Sequence, residues 1–181
     1  MNRQNGPWTI KESKEVYKNP WMRVREDQVV RPDGKDGIHA VVEIIPGVSV
    51  LPIDDQGNVY LTEEFHYAVE DQSTEVISGG IDADEQPLDA AKRELKEETG
   101  IEAKEWIDLG LVNPFTTVVK SPAHLYLAKG LSFSEAEPEG TEQIKVLHVN
   151  LEEAVQMVLD SKITHGPSVA LILKAKQYLN Q

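Results

Sequence analysis

Three glutamates with helical spacing stand close together in the segment RELKEETG: Glu94, Glu97 and Glu98. Their i, i+3, i+4 pattern places the carboxylates on one face of an α-helix. Like charges at this spacing destabilise a helix by roughly 0.2–0.5 kcal/mol per pair. The face is therefore either a solvated surface or a site for a hard divalent cation such as Mg²⁺, which prefers oxygen ligands.

Further residues of interest precede this face. Gly79 and Gly80 have access to backbone conformations closed to other residues, and these would let the carbonyl of Ser78 turn toward the carboxylates. Glu85 stands near the start of the helix and Arg93 about two turns later. A buried pair between them would pin the loop to the helix; alternatively, both are exposed.

The helix that carries these glutamates is predicted over residues 87–99. Pro87 suits a first helical turn, and Asp84 is the candidate N-cap. Gly100 is the predicted C-terminal stop. Two more helices are predicted, over residues 151–161 and 168–179.

Apolar or alternating runs bounded by turn residues predict strands in most of the remaining chain. These runs are residues 8–17, 21–30, 38–45, 48–54, 59–65, 106–112, 123–131 and 143–150. The runs 48–54 and 59–65 flank the turn DDQGN and are predicted to form a hairpin. Residues 74–77 are predicted to form a short extended segment, which Gly79-Gly80 then breaks. This order of elements favours an α+β fold.

Composition narrows the function. The 181 residues suit one domain, or one domain with a small accessory layer, and the net charge of −13 disfavours binding to nucleic acid or to an anionic membrane. The chain has no cysteine, which excludes thiolate chemistry. No run is apolar enough to span a bilayer, and the N-terminus does not look like a signal peptide, so a cytoplasmic location is predicted.

The segment from residue 79 to residue 101 resembles the Nudix box at every fixed position. The matching residues are Gly79, Glu85, Arg93-Glu94-Leu95, Glu97-Glu98 and Gly100-Ile101. The resemblance implies a Nudix-type αβα sandwich with a mixed β-sheet and a site for Mg²⁺, with Mn²⁺ as a substitute. It also implies hydrolysis of a nucleoside diphosphate linked to another group.

The resemblance also implies roles for the residues of the box. The metal ligands would be the Ser78 carbonyl and the three glutamates Glu94, Glu97 and Glu98. Glu97 would either bind metal or handle the attacking water. Glu85 would orient Arg93, and Arg93 would steady the glutamates.

Beyond the box, the layout of the chain resembles the ADP-ribose and ADP-sugar pyrophosphatase branch. This implies an N-terminal antiparallel β region, residues 1–40, which serves dimerisation and substrate contacts, and a Nudix hydrolase domain, residues 41–181. It also implies a homodimer and a small-molecule nucleoside diphosphate substrate, cleaved to a nucleoside monophosphate and a sugar phosphate.

Two positions depart from that branch. His66 stands where the branch has an arginine that binds substrate, and Ile77-Ser78-Gly79 replaces proline-alanine-glycine. We predict substrate contacts for His66, Gly79 and Gly80, and a preference for nucleotide sugars wider than ADP-ribose alone.

An acidic loop follows later in the chain, from residue 135 to residue 143. In the resembled branch, one glutamate of this loop approaches the metals and another serves as base. Glu142 best matches the first. The base position falls near Gly140, so Glu139 is the nearest substitute. The alternative is a solvated acidic loop.

Aromatic and basic residues outside the box give further candidates. Trp8, Tyr17 and Trp21 would stack on a nucleotide base or belong to an interface or core. Arg31 is a candidate phosphate contact in place of His66, as are Arg23 and Arg25. His165 would contact substrate or lie at the start of the last helix.

Two other function classes compete with the sugar pyrophosphatase. A non-catalytic Nudix-fold binding module would typically lack glutamates of the box, but none is missing here. A hydrolase of nucleoside triphosphates or dinucleoside polyphosphates is the second alternative. A minimal triphosphatase would not need the long N-terminal strand region.

Overall fold

The computed structural model describes residues 2–136 and 144–181, and these form an α+β fold of two compact units. The first unit comprises Met1–Ile45 and Asn113–Ser121, and the second comprises Pro46–Val112 and Pro122–Gln181. Each is built around its own β-structure. The predicted α+β class is confirmed.

The first unit is a five-stranded sheet. Its strands are, in spatial order, β1 (Arg3–Asn5), β2 (Trp8–Lys18), β3 (Met22–Val30), β4 (Asp36–Ile44) and β10 (Val119–Lys120). The first four are antiparallel, which confirms the predicted N-terminal β region. Strand β10 joins in parallel to β4 and was not predicted, because two residues give no detectable period.

The second unit contains a mixed sheet. Its strands are, in spatial order, β8 (Ile77–Gly80), β5 (Gly47–Pro52), β11 (Ala123–Phe133) and β9 (Ile101–Val112). Strands β5 and β11 are parallel and the other pairs are antiparallel.

Helices cover both faces of this mixed sheet. Alternation along β5 sends Val48 and Val50 into the apolar cluster that holds α1 (Pro87–Thr99). It sends Leu51 into the opposite cluster, which holds α3 (Gly166–Leu179). The helix–sheet–helix layering of the predicted sandwich is confirmed.

A smaller antiparallel sheet completes the second unit. Its order is β12 (Lys145–Asn150), β6 (Asn58–His66) and β7 (Asp71–Glu75). Helix α2 (Leu151–Leu159) starts directly after β12, with the Asn150 side chain accepting a hydrogen bond from the Glu152 N–H.

The predicted hairpin between β5 and β6 is wrong. The chain does reverse tightly, with Asp54 N–H donating to the Asn58 carbonyl and Gly57 in a left-handed conformation. The two strands then diverge into different sheets and share a single bridge, Ile53 with Val59. Both strands are rich in buried residues, so each finds other partners.

The predicted cap of α1 is also wrong. The N-cap is Gln86, without a side-chain capping bond, while Asp84 lies two residues earlier in a left-handed conformation. The helix bounds themselves agree with the prediction.

None of the helices formed by the described residues has the length and apolar character needed to cross a membrane.

Candidate active site

Helix α1 presents the acidic face because its other face is buried. Ala90, Ala91 and Leu95 are fully buried against the mixed sheet. Pro87 occupies the first turn, and Gly100 ends the helix in a left-handed conformation, its N–H bonded to the Lys96 carbonyl. The glutamates on the remaining face are therefore held at the boundary between core and solvent.

Arg93 is the hub of the site. Its guanidinium forms a bidentate pair with Glu85: Nε lies 3.0 Å from Oε1 and Nη2 lies 3.0 Å from Oε2. Nη1 donates to Glu94 Oε1 at 2.8 Å and to Glu97 Oε2 at 3.1 Å. Nη2 also donates to the Gly80 carbonyl at 2.9 Å. One cation thus links the loop, strand β8 and two glutamates of the helix.

These contacts set the electrostatics of the hub. The hydrogen bond from Arg93 holds the pKa of Glu85 below its ordinary value, against the opposing effect of burial, and the Asp82 N–H donates to the same carboxylate. In return, Glu85 is the largest cause of a raised pKa for Arg93, followed among its carboxylate partners by Glu94. The guanidinium is therefore permanently charged and compensates its acidic neighbours.

Gly79 has a steric role rather than the conformational one predicted. Both Gly79 and Gly80 lie within strand β8, paired with Val48 and Gly47, and neither has a positive φ. They do not break the strand. A β-carbon at Gly79 would lie 1.9 Å from the Glu94 carboxyl carbon, so any other residue at this position would force that carboxylate to move.

The remaining residues of the box lie beside the hub. Ser78 directly precedes Gly79 in β8, and its hydroxyl lies 2.9 Å from Ser49 Oγ and donates to the Val76 carbonyl. Glu98 is a half-buried residue of α1, one position after Glu97.

The donor set of the helix fits a divalent cation. No three His, Asp or Glu side chains of the described residues converge closely enough to hold an ion in this conformation. Glu94 and Glu97 instead converge on Arg93 Nη1, which shows that this face already accommodates a cation. Carboxylate oxygens are the ligands that Mg²⁺ prefers, so the chemical type of these side chains fits a divalent cation.

Most of the acidic loop proposed from sequence, residues 137–143, falls outside the described residues. Glu139, Gly140 and Glu142 all lie within residues 137–143. The base and metal roles predicted there stay predictions.

His66 ends strand β6 and contacts a residue that the sequence did not single out. Its Nε2 lies 3.0 Å from Oε1 of Glu75, and Nδ1 of His165 lies 2.9 Å from Oε2 of the same carboxylate. Burial raises the pKa of Glu75, but hydrogen bonds from His165 and Ser73, together with the charges of His165 and His66, lower the pKa overall. Nothing in the sequence around Glu75 indicated that this glutamate would contact two histidines.

The predicted aromatic residues of the first unit have different environments. Trp8 is half-buried and meets the His39 ring edge-on, with 5.6 Å between ring centroids. Tyr17 and Trp21 are largely exposed, at 54% and 66%. The Trp8 ring thus packs partly within the first unit, whereas the exposed rings of Tyr17 and Trp21 are accessible to a ligand or a partner.

The three arginines considered as phosphate contacts are all paired within the first unit. Arg31 pairs with Asp33, Arg23 pairs with Glu43, and Arg25 pairs with both Glu43 and Asp27. A phosphate would have to compete with carboxylates already in place.

Comparison with known proteins agrees with the fold and the box. Residues 8–42 match the model of the nucleoside diphosphate sugar hydrolase N-terminal domain, and residues 44–170 match the NUDIX domain. A solved structure described as an ADP compounds hydrolase superposes with a TM-score of 0.86 over 98% of this chain and 97% of that one. Its sequence identity is 20%, so this likeness concerns the fold alone.

Curated relatives share more of the sequence. The ADP-ribose pyrophosphatase of Bacillus subtilis is 30% identical over 73% of this chain and 72% of its own. The methanol dehydrogenase activator of Bacillus methanolicus is 28% identical over 94% and 91%. A CMP-5'-(N-acetyl-N-hydroxy-3-aminopropyl)phosphonate hydrolase of Streptomyces rubellomurinus is 28% identical over 91% and 81%. With its complete box, the chain belongs to the Nudix family, as a pyrophosphohydrolase of the ADP-ribose and nucleoside diphosphate sugar branch.

Proposed function

We propose that this protein hydrolyses the pyrophosphate bond of ADP-ribose or another nucleotide sugar in a Mg²⁺-dependent reaction. The products are a nucleoside monophosphate and a sugar phosphate. The observation that carries the proposal is the Arg93 hub, which joins Glu85, Glu94 and Glu97 at the strand that bears Gly79.

The charge of the protein supports the proposed metal dependence. A diphosphate is anionic, and the chain carries a net charge of −13. A bound divalent cation would offset the charge of the diphosphate and lower the pKa of a water molecule. We assign its ligands to Glu94, Glu97, Glu98 and the Ser78 carbonyl, with Mn²⁺ as a substitute for Mg²⁺.

The other residues of the hub orient these ligands. Glu85 fixes the plane of the Arg93 guanidinium through two parallel hydrogen bonds. Arg93 in turn holds Glu94 and Glu97 on one side of the helix. When Glu97 is not a metal ligand, its carboxylate is the group on this face that would accept a proton from the attacking water.

The N-terminal region supports a sugar-linked substrate. Its match to a nucleoside diphosphate sugar hydrolase domain favours nucleotide sugars over triphosphates. The relatives act, by their names, on both ADP-linked and CMP-linked compounds, so the base is left open. We propose Trp8, Tyr17 and Arg31 as nucleotide contacts.

We also propose that the protein is a cytoplasmic homodimer. The first unit exposes several large apolar side chains that a partner copy would cover. They are Val16, Trp21, Ile38, Ile44 and Ile45. Light scattering of the purified protein should give twice the 20.2 kDa chain mass, and a monomer at micromolar concentration would contradict the dimer.

A substrate panel tests the proposed reaction. The purified protein is incubated with Mg²⁺ and ADP-ribose, ADP-glucose, GDP-mannose, ATP or diadenosine tetraphosphate, and the products are resolved by chromatography. We expect AMP and ribose 5-phosphate from ADP-ribose, or the matching pair from another sugar. Turnover of ATP or the dinucleotide alone would assign the enzyme to a different substrate class.

A further inference from the structure

The Glu75 carboxylate ties together two histidines from distant parts of the chain. His66 ends strand β6, and His165 directly precedes helix α3. Each imidazole lies against a different oxygen of Glu75: His66 Nε2 is 3.0 Å from Oε1, and His165 Nδ1 is 2.9 Å from Oε2. His165 Nδ1 also lies 2.8 Å from Ser168 Oγ, whose oxygen accepts the Val76 N–H. We call His66, Glu75 and His165 the histidine bridge.

The bridge leaves one nitrogen of each ring open. Among the described residues, no hydrogen bond or ion pair involves His66 Nδ1 or His165 Nε2. The two side chains are 41% and 30% exposed, so a ligand has access to both rings. With a proton on the ring nitrogen that faces Glu75, the open nitrogen is an acceptor in a neutral ring and a donor in a charged one.

The surroundings of the bridge are acidic. The register of β6 and β7 pairs Thr62 with Glu75, Glu64 with Ser73, and His66 with Asp71, and alternation places all six on one face. In the described part of the chain, no lysine or arginine pairs with Glu64, Asp71 or Glu75.

This charge balance decides between two kinds of ligand. Even with both histidines protonated, two positive charges face three carboxylates. A phosphate group is therefore not stabilised here. A hydroxyl group carries no charge, and because it both donates and accepts, it can bond to the open nitrogen in either protonation state.

The bridge also lies on the segment that leads into the box. Glu75 precedes Ser78 by three residues, a span of no more than about 11 Å even in an extended chain. A diphosphate would bind here through a metal ion held by the Ser78 carbonyl, Glu94 and Glu98, and a group attached to it at the Ser78 end of the site would lie near this face.

We propose that His66 and His165, bridged by Glu75, bind sugar hydroxyls of the substrate and so favour sugar-linked diphosphates over those without a sugar. This inference rests on the proposed function. An arginine at position 66 would bind a phosphate of the substrate, whereas His66 is proposed to bind the sugar attached to that phosphate. Glu75 is a positioning residue that fixes both rings.

The test compares two substrates in three proteins. ADP-ribose carries a second sugar, and the methyl ester of ADP offers the same diphosphate without it. For His66→Phe and for His165→Phe, we expect kcat/KM with ADP-ribose to fall about 3- to 10-fold, mostly through KM, as for the loss of one hydrogen bond. The Ki or kcat/KM for the methyl ester should stay within twofold of wild type.

A matched control is His148→Phe. His148 is another half-exposed histidine that contacts a carboxylate, Asp54, at 3.2 Å in the same unit. It should leave both substrates unaffected. Equal losses for ADP-ribose and the methyl ester, or no loss for either, would overturn the inference. A wild-type protein that cleaves no diphosphate would instead refute the proposed function.

A binding measurement separates the bridge from a purely structural role. In ¹⁵N spectra of the wild-type histidine rings, ribose should shift His66 Nδ1 and His165 Nε2, while inorganic phosphate should shift neither. Glu75→Gln should weaken the ribose response while thermal unfolding shows a folded protein. A response to phosphate equal to that of ribose would contradict the proposal.

Discussion

Gly79 lies so close to Glu94 that a β-carbon at position 79 would lie 1.9 Å from the Glu94 carboxyl carbon. The glycine lies in an ordinary strand, so its identity is set by this neighbour and not by its backbone angles. We expect Gly79→Ala to displace Glu94 and to lower kcat/KM about 10- to 100-fold, as for lost support of a metal ligand. Steady-state kinetics with Mg²⁺ would measure it.

Gly166→Ala is the matched control for this substitution. A β-carbon at Gly166 meets no atom within 4 Å, and its φ is not positive. Activity should stay within twofold of wild type. An unchanged rate in Gly79→Ala would show that Glu94 is not a ligand in its present position.

Glu85→Gln should weaken metal binding without touching a proposed ligand. The variant keeps the size of the side chain but loses the charge that pairs with Arg93 at 3.0 Å. Arg93 would then interact more strongly with Glu94 and Glu97 and compete with the metal for these carboxylates. We expect Mn²⁺ affinity, measured by calorimetry, to fall about 10-fold or more.

Asp89→Asn provides the control for charge on the same helix. Asp89 is exposed in the first turn of α1 and pairs with Lys92, not with Arg93. Its Mn²⁺ affinity should match wild type. If both variants lose affinity equally, the effect is general electrostatics and the hub has no specific role.

Glu75 should contribute stability that depends on pH. Its pKa is lowered on folding, so its contribution is present above the ordinary glutamate pKa of 4.5 and is lost as pH falls through the lower folded value. At pH 7, Glu75→Gln should reduce the free energy of unfolding by roughly 1 kcal/mol. Urea unfolding at pH 7 and pH 3 would show whether this difference shrinks at the acidic value.

The sequence predicted the helix α1 well because its signals are local. Pro87, the glutamate spacing and Gly100 lie within fourteen residues, and the observed bounds are Pro87–Thr99. The fold class followed from the same kind of pattern.

Long-range relationships could not be read from the sequence. The histidine bridge joins residues 66 and 165, which are far apart in the sequence. The divergence of β5 and β6 depends on partner strands elsewhere in the chain. The predicted conformational role of Gly79 was also wrong. A glycine required by a close contact with Glu94 looks the same in the sequence as a glycine required by a sharp turn.

The most direct test of the account is the Mg²⁺-dependent hydrolysis of ADP-ribose and nucleotide sugars by wild type and Glu98→Gln. We expect wild type to release a nucleoside monophosphate only with added metal, and Glu98→Gln to lower kcat by about 10³-fold or more while thermal unfolding is unchanged. Glu153→Gln, on the exposed side of α2, is the control and should keep wild-type activity. Metal-loaded wild type that cleaves no diphosphate, or Glu98→Gln that retains the wild-type rate, would contradict the account.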